Sequence, residues 1–186
     1  MDGIFTNFGS LGLIRVAQYL IPLITIPYLA RVIGVEGIGK IAFAQAIVGY
    51  FSLMPDLGLP LYAITKIAAH QDDHQKISML VSNILALKIA AFIIVYLIFL
   101  IVLFSTERFS NDKLLYLFAS MTICSNAIFP DWFFQGIQRM WHIAIANFIG
   151  AVISTLCIFI FIHKQGDYYL VPALYALSSF IAIIYM

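Results

Sequence analysis

The sequence predicts an all-α membrane protein of about six transmembrane helices, and three observations predict it. Of 186 residues, 63% are hydrophobic and only 10% are charged, where soluble domains are nearer one half apolar. At about 20 mostly apolar residues per crossing, this is the content of roughly six spans with short connections. The charges also divide the chain into long uncharged stretches, and a charge at mid-membrane is costly. Finally, runs such as Ile89, Ala90, Ala91, Phe92, Ile93, Ile94 and Val95 do not alternate, as a transmembrane barrel strand would.

The same numbers exclude other classes. Disorder needs low hydrophobicity and high charge, and collagen-like or disulfide-framework folds do not fit 11 Gly and 2 Cys. A formal net charge of +1 gives no basic face for a nucleic acid, so no nucleic-acid partner is expected.

Taken in order, the expected spans are about 11–33, 38–56, 80–106, 113–130, 141–163 and 168–186. The first surrounds Val16 to Ala30, between Arg15 and Arg31, and extends past Arg15 to reach crossing length. No basic region precedes it and no small-residue cleavage pattern follows, so it is not expected to be a cleaved signal. The second surrounds Ile41 to Pro55, between Lys40 and Asp56.

Between Pro60 and Ser78, Leu61, Ile64, Ile67 and Ala68 recur at helical spacing beside Lys66, His70, Asp72, Asp73, His74 and Lys76. This pattern predicts an amphipathic helix at the membrane surface followed by a polar tip. The helix after it, Ile77 to Thr106, would be about 45 Å long against a hydrocarbon core of about 30 Å. Placing Lys88 near the interface leaves Ile89 to Thr106 to cross. Leu114 to Pro130 ends at Asp131, Met140 to Ile162 ends at His163, and Tyr168 to Met186 forms the sixth stretch.

Loop charges normally give orientation, because Lys and Arg accumulate on the cytoplasmic side. With a cytoplasmic N-terminus, Arg15, Lys66, Lys76, Lys88 and Arg139 fall inside and Arg31, Lys40, Arg108, Lys113 and Lys164 outside. The equal division leaves orientation open.

Polar residues within the spans mark faces that avoid lipid. Gln45, Gly49, Ser52 and Asp56 lie at i, i+4, i+7 and i+11 on one face of the second helix. They line a water-filled cavity or pack against a neighbouring helix. On the first helix Arg15, Gln18, Tyr19 and Pro22 share a face, with Thr25 after them. That face suits an anionic substrate, since Arg grips a phosphate through two parallel hydrogen bonds; the alternative is that Arg15 snorkels to the surface as an anchor.

For Lys88, whose neighbours Val81, Ile84, Leu85, Phe92 and Val95 form an apolar face, snorkelling is favoured over a cavity role. Asp131, among Trp132, Phe133, Phe134 and Trp141, reads as a helix cap first and as a proton-titrating or gate residue second, with Arg139 as its charge neighbour. Asn147, Gly150, Ala151 and Ser154 form a packing seam. His70 and His74 are spaced i, i+4 in a polar loop and are not read as a metal site. Cys124 and Cys157, inside spans, read as free thiols.

No enzyme constellation is present. The chain lacks G-x-x-x-x-G-K-[ST] and G-x-S-x-G, and Asp72 with Asp73 is a single acidic pair where a metal-dependent prenyl or glycosyl transferase needs more. No cofactor is expected.

Three segments carry a resemblance. Pro27, Tyr28, Leu29, Ala30, Arg31, Val32, Ile33, Gly34, Val35, Glu36, Gly37, Ile38 and Gly39 resemble the end of the first helix in bacterial polysaccharide flippases. Asp56, Leu57, Gly58, Leu59, Pro60, Leu61 and Tyr62 resemble the end of their second helix. Asp131, Trp132, Phe133, Phe134, Gln135 and Gly136 resemble their link between helices four and five. The resemblance, over the whole chain, is to the O-antigen transporter family, related to multidrug exporters of the MATE type.

That resemblance implies a multi-pass protein of the bacterial inner membrane with a cytoplasmic N-terminus, one half of a two-half flippase bundle. It implies alternating access around a cavity that shelters a sugar-pyrophosphate headgroup. Arg15, Gln18, Tyr19 and Lys88 are the expected substrate contacts, and Gln45, Ser52, Asp56 and Asp131 the expected cavity or ion-coupling residues. The expected partners are the lipid-linked oligosaccharide and the membrane, with a polysaccharide polymerase or assembly proteins as further candidates. A multidrug or small-molecule exporter of the same superfamily and a non-transporting truncated remnant are the alternatives.

Overall fold

The computed structural model describes residue 16 and residues 20–56, 58–71 and 73–185. Among them there is no strand. The helices are α1 (Leu20–Val32), α2 (Gly34–Leu53), α3 (Leu59–Ala69), α4 (His74–Ser105), α5 (Lys113–Ile128), α6 (Asp131–Gly136), α7 (Met140–Phe161) and α8 (Leu170–Tyr185). Two 3₁₀ turns, Glu107–Asp112 and Gln165–Tyr169, join α4 to α5 and α7 to α8.

Four described helical stretches are long and apolar enough to cross a bilayer: His74–Ser105, Glu107–Gly136, Met140–Phe161 and Gln165–Tyr185. The chain is an all-α membrane protein. At 20 residues α2 has the length of a crossing, but Glu36, Lys40, Gln45 and Ser52 make it more polar. Along α4, Ile93, Leu97, Ile101 and Phe104 are all more than half exposed and recur at helical spacing. Such an outward apolar stripe is stable only against lipid.

Local chemistry explains where the helices break. Gly34 turns α1 into α2 with φ +75°, and Gly58 precedes α3 with φ +78°, a conformation that costs other residues a Cβ clash. Pro60 follows in the first turn of α3, where its missing N–H is no loss. Asp73 caps α4 by accepting the Lys76 N–H at 3.0 Å. Those backbone and side-chain bonds from Lys76 hold the Asp73 carboxyl below its ordinary range. The helix therefore starts at His74, and the polar tip ends sooner than the sequence suggested.

Two cores hold the bundle. The larger joins α1, α2, α4, α5, α7 and α8 through residues such as Val48, Phe99, Leu115, Ile123 and Ile158. Here the seam on α7 is a packing surface: a Cβ on Gly150 would stand 2.7 Å from the Ser178 carbonyl oxygen, so α7 and α8 touch at backbone distance.

The smaller core gathers Ala63, Ile67, Ile84 and Trp132 from α3, α4 and α6. A Cβ on Gly136 would meet Ile67 at 2.8 Å. This corrects the expected surface helix in part. α3 is amphipathic, but Ile67 is fully buried against protein while Leu61 is 70% exposed, so the apolar residues divide between the bundle and the outside. Hydrophobic periodicity gives a buried face without saying what buries it.

Candidate functional site: a cleft beside a buried ion pair

The stripe on α2 opens onto a cleft of about 640 Å³. Gln45, Gly49 and Ser52 form one wall, Thr122 and Asn126 of α5 a second, and Tyr175 and Ser179 of α8 a third. Each pair from α5 and α8 is spaced i, i+4, so helix geometry alone turns both side chains the same way. Ser52 spends its hydroxyl hydrogen on the Val48 carbonyl at 2.9 Å, which leaves its oxygen as an acceptor. The lining is thus mostly apolar, with uncharged amide and hydroxyl groups set into it.

One turn beyond Ser52, the charges begin. Lys88 Nζ lies 2.9 Å from Asp56 Oδ1, with the lysine side chain 2% exposed and the aspartate 39%. The same ammonium donates to the carbonyl of Asn126 at 3.5 Å, and Asn126 also lines the cleft. Lys88 therefore does not snorkel. It shares the inward face of α4 with Ile84, Val95, Phe99 and Leu103, the face that the sequence left without a side. Burying an ammonium is costly unless it is paired and hydrogen-bonded, and Asp56 supplies the pairing.

Asp131 opens α6 and accepts the N–H of Trp132 at 2.8 Å and the side-chain amide of Gln135 at 3.2 Å. It takes the capping role at the start of its own short helix. The charges acting on it most strongly are Lys88 and Asp56. Arg139, expected as its neighbour, is exposed.

The face on the first helix divides. Arg15, Gln18 and Tyr19 lie outside the described residues. Pro22 lines a second, apolar cleft that shares Gln45 and Tyr175 with the first. Thr25 is buried, donates to the Ile21 carbonyl at 2.9 Å and stands 3.4 Å from the Thr155 hydroxyl, so it fastens α1 to α7. His70 bonds the Lys66 carbonyl through Nδ1 at 3.0 Å, and Cys124 and Cys157 are free thiols.

Thr122, Asn126, Tyr175 and Ser179 were missed from the sequence. The signal was available: each pair is a polar i, i+4 step inside an apolar span, the same pattern that marked α2. Lone polar residues are common enough in spans that only their convergence is informative.

Residues 4–186 match the polysaccharide biosynthesis protein family. The chain belongs to that family. It is 29% identical over 163 residues to a protein of Escherichia coli (strain K12) named "Putative O-antigen transporter", an alignment that covers 87% of this chain and 39% of that protein. A protein of the same name from Shigella dysenteriae is also 29% identical over 163 residues, with 87% and 40% covered. The chain thus spans about two fifths of the length of these curated relatives. No solved structure gives a significant match. Family membership and the long apolar helices make the chain a multi-pass inner-membrane protein.

Proposed function

We propose that this chain forms one half, with about six transmembrane helices, of a flippase that carries lipid-linked oligosaccharide of the O-antigen type across the inner membrane by alternating access. The observation that carries the reading is a mostly apolar cleft set with amide and hydroxyl groups, with the buried Lys88–Asp56 pair next to its lining residue Asn126. A sugar headgroup in hydrocarbon costs several kcal/mol per unsatisfied polar group. Gln45, Thr122, Asn126, Tyr175 and Ser179 offer donors and acceptors to hydroxyls in a cleft whose lining is otherwise mostly apolar. Lys88 offers a positive charge for a pyrophosphate, and Arg15, Gln18 and Tyr19 belong to the same reading as substrate contacts.

The mechanism follows from the pairing. Asp56 neutralises Lys88 at 2.9 Å. An incoming pyrophosphate competes for the ammonium, frees Asp56, and loosens the link between α2 and α3 from α4.

The half-bundle reading is supported by the length of the relatives and by the repeat organisation common in transporters. A flippase-null strain given this chain alone should stay without surface polysaccharide, and a separately expressed second half should restore it. Restoration by the chain alone would overturn the half-bundle reading. Arg15→Ala in the complete transporter should sharply lower surface polysaccharide and Arg15→Lys retain part of it, since lysine keeps the charge and loses the paired hydrogen bonds.

A further inference from the structure

Ala63, Ile67, Ile84 and Trp132 hold α3, α6 and the start of α4 together as one body. Within it α3 and α6 are locked closely, because the Gly136 position has no room for a Cβ beside Ile67 and the Gln71 side-chain amide donates to the Gly136 carbonyl at 3.3 Å. The chain enters this body from α2 at Gly58 and from α5 at Phe129 and Pro130, and leaves it through Gln138 toward α7. α4 runs through both cores unbroken.

Each crossing other than α4 interrupts the helical ladder. Gly58 takes φ +78° and Gln138 φ +60°, and Phe129 is extended, as the residue before a proline tends to be. Pro130 has no N–H to give the Asn126 carbonyl four residues back, so that carbonyl loses its helical donor. Bending at these points breaks no helical hydrogen bond, which is what a hinge requires.

Lys88 bonds across the boundary. It lies one turn past Ile84, which belongs to the smaller core, and one turn before Phe92, which packs on the larger. Its ammonium takes Asp56 at 2.9 Å, two residues before Gly58, and the Asn126 carbonyl at 3.5 Å, four residues before Pro130. The carbonyl that Pro130 leaves without a donor is the one that Lys88 satisfies. A single side chain on α4 therefore pins the ends of α2 and α5 where each gives way to the smaller core.

We propose that the smaller core is a gate at the Asp56 end of the cleft, hinged at Gly58 and Pro130 and latched by Lys88. While the ammonium holds both helix ends, α3 and α6 keep their place. When an anion draws it away, Asp56 and the Asn126 carbonyl lose their shared donor and the smaller core tilts as a unit, with α4 flexing at the level of Lys88. The trigger rests on the proposed function, in which a pyrophosphate competes for Lys88. The latch does not, because removing the ammonium by mutation should release it without substrate.

Spin labels on the full chain in lipid nanodiscs test this, with Cys124 and Cys157 replaced by alanine. One pair, Thr65→Cys with Leu177→Cys, joins α3 of the gate to α8; a second, Ile101→Cys with Leu177→Cys, lies outside the gate. Millimolar inorganic pyrophosphate should shift the first distance on the order of 5 Å, the size of a one-turn helix displacement, and leave the second unchanged. Lys88→Met should show the shifted distance without ligand, at unchanged helicity, and Lys88→Arg the latched one. Pro130→Ala, which returns an N–H to Asn126, should suppress the response. An unshifted distance in Lys88→Met would overturn the proposal, as would an equal shift in the second pair or a full response in Pro130→Ala. A shift in Lys88→Met with no response of the parent to pyrophosphate would uphold the latch and count against the pyrophosphate contact of the proposed function.

Discussion

Two lysine–aspartate clusters stand at opposite ends of α2, about 24 Å apart along the chain's helical rise, and they show what burial does to the same pair of residues. At the first, Lys40 lies 3.7 Å from Glu36 and 3.4 Å from Asp112, with its side chain 37% exposed. The Tyr168 hydroxyl donates to Asp112, and the Lys40 ammonium stands 5.2 Å from the Tyr168 ring centre. This cluster ties α2 to both 3₁₀ turns. Water solvates its members, so each contact is worth little. At the second, Lys88 is almost without solvent and rests on Asp56 alone among the described carboxylates within ion-pair distance. The first cluster is a solvated fastening at the surface, and the second is a buried pair beside the cleft-lining Asn126.

The largest effect expected from that contrast is at Asp56. Asp56→Asn leaves the Lys88 ammonium buried and unpaired, a loss of about 3–5 kcal/mol for a buried pair, and should lower the amount of folded protein in the membrane. Lys88→Met should cost less, because it leaves a carboxylate that is already 39% exposed. Thermal unfolding in detergent, followed by helicity, should rank Asp56→Asn below Lys88→Met. The reverse order would show that Lys88 finds other solvation.

Next comes the packing that holds the cleft wall. Gly150→Leu drives a side chain into the Ser178 carbonyl and should cost about 1–3 kcal/mol by overpacking, separating α7 from α8. A disulfide or cross-link between those helices should form less efficiently in the variant. At the exposed cluster, Lys40→Ala should change stability by under about 1 kcal/mol and leave transport intact. In the cleft, Asn126→Leu should leave stability nearly unchanged and reduce surface polysaccharide, which separates the lining from the framework.

The smallest effect lies at the cap of α4. The Asp73 carboxyl is lowered from its model-compound value of 3.8, so its contribution is complete above that pH and is lost as pH falls through the lower, folded value. Amide exchange in the first turn of α4 should quicken in that acid window only, and Asp73→Ala should make it fast at neutral pH.

Much of this was legible in the sequence, for identifiable reasons. The apolar stretches gave the helices, because lipid forces every crossing segment to satisfy its own backbone. The α2 stripe was legible because three polar residues and a glycine recur on one face. Lys88 was misread because an apolar surround describes a lysine reaching up through lipid as well as one turned into a bundle. What separates the two is the position of Asp56, which stands 32 residues away in sequence and 2.9 Å away in space. Arg139 and Asp131 failed for the converse reason: nearness in sequence across Gln138, whose φ is +60°, did not become a pairing. The Thr122, Asn126, Tyr175 and Ser179 walls required knowing which helices face one another.

The central claim is that Lys88 serves the substrate as well as Asp56, and exchanging the two charges tests it directly. In the complete transporter, Asp56→Lys combined with Lys88→Asp keeps an ion pair between α2 and α4 while removing the cation from its buried place. The doubly exchanged protein should recover membrane level and thermal stability relative to Asp56→Asn, yet leave surface polysaccharide close to that of the null strain. Recovery of both stability and surface polysaccharide would contradict the account, since it would show that the pair is only a fastening, like the one at Lys40.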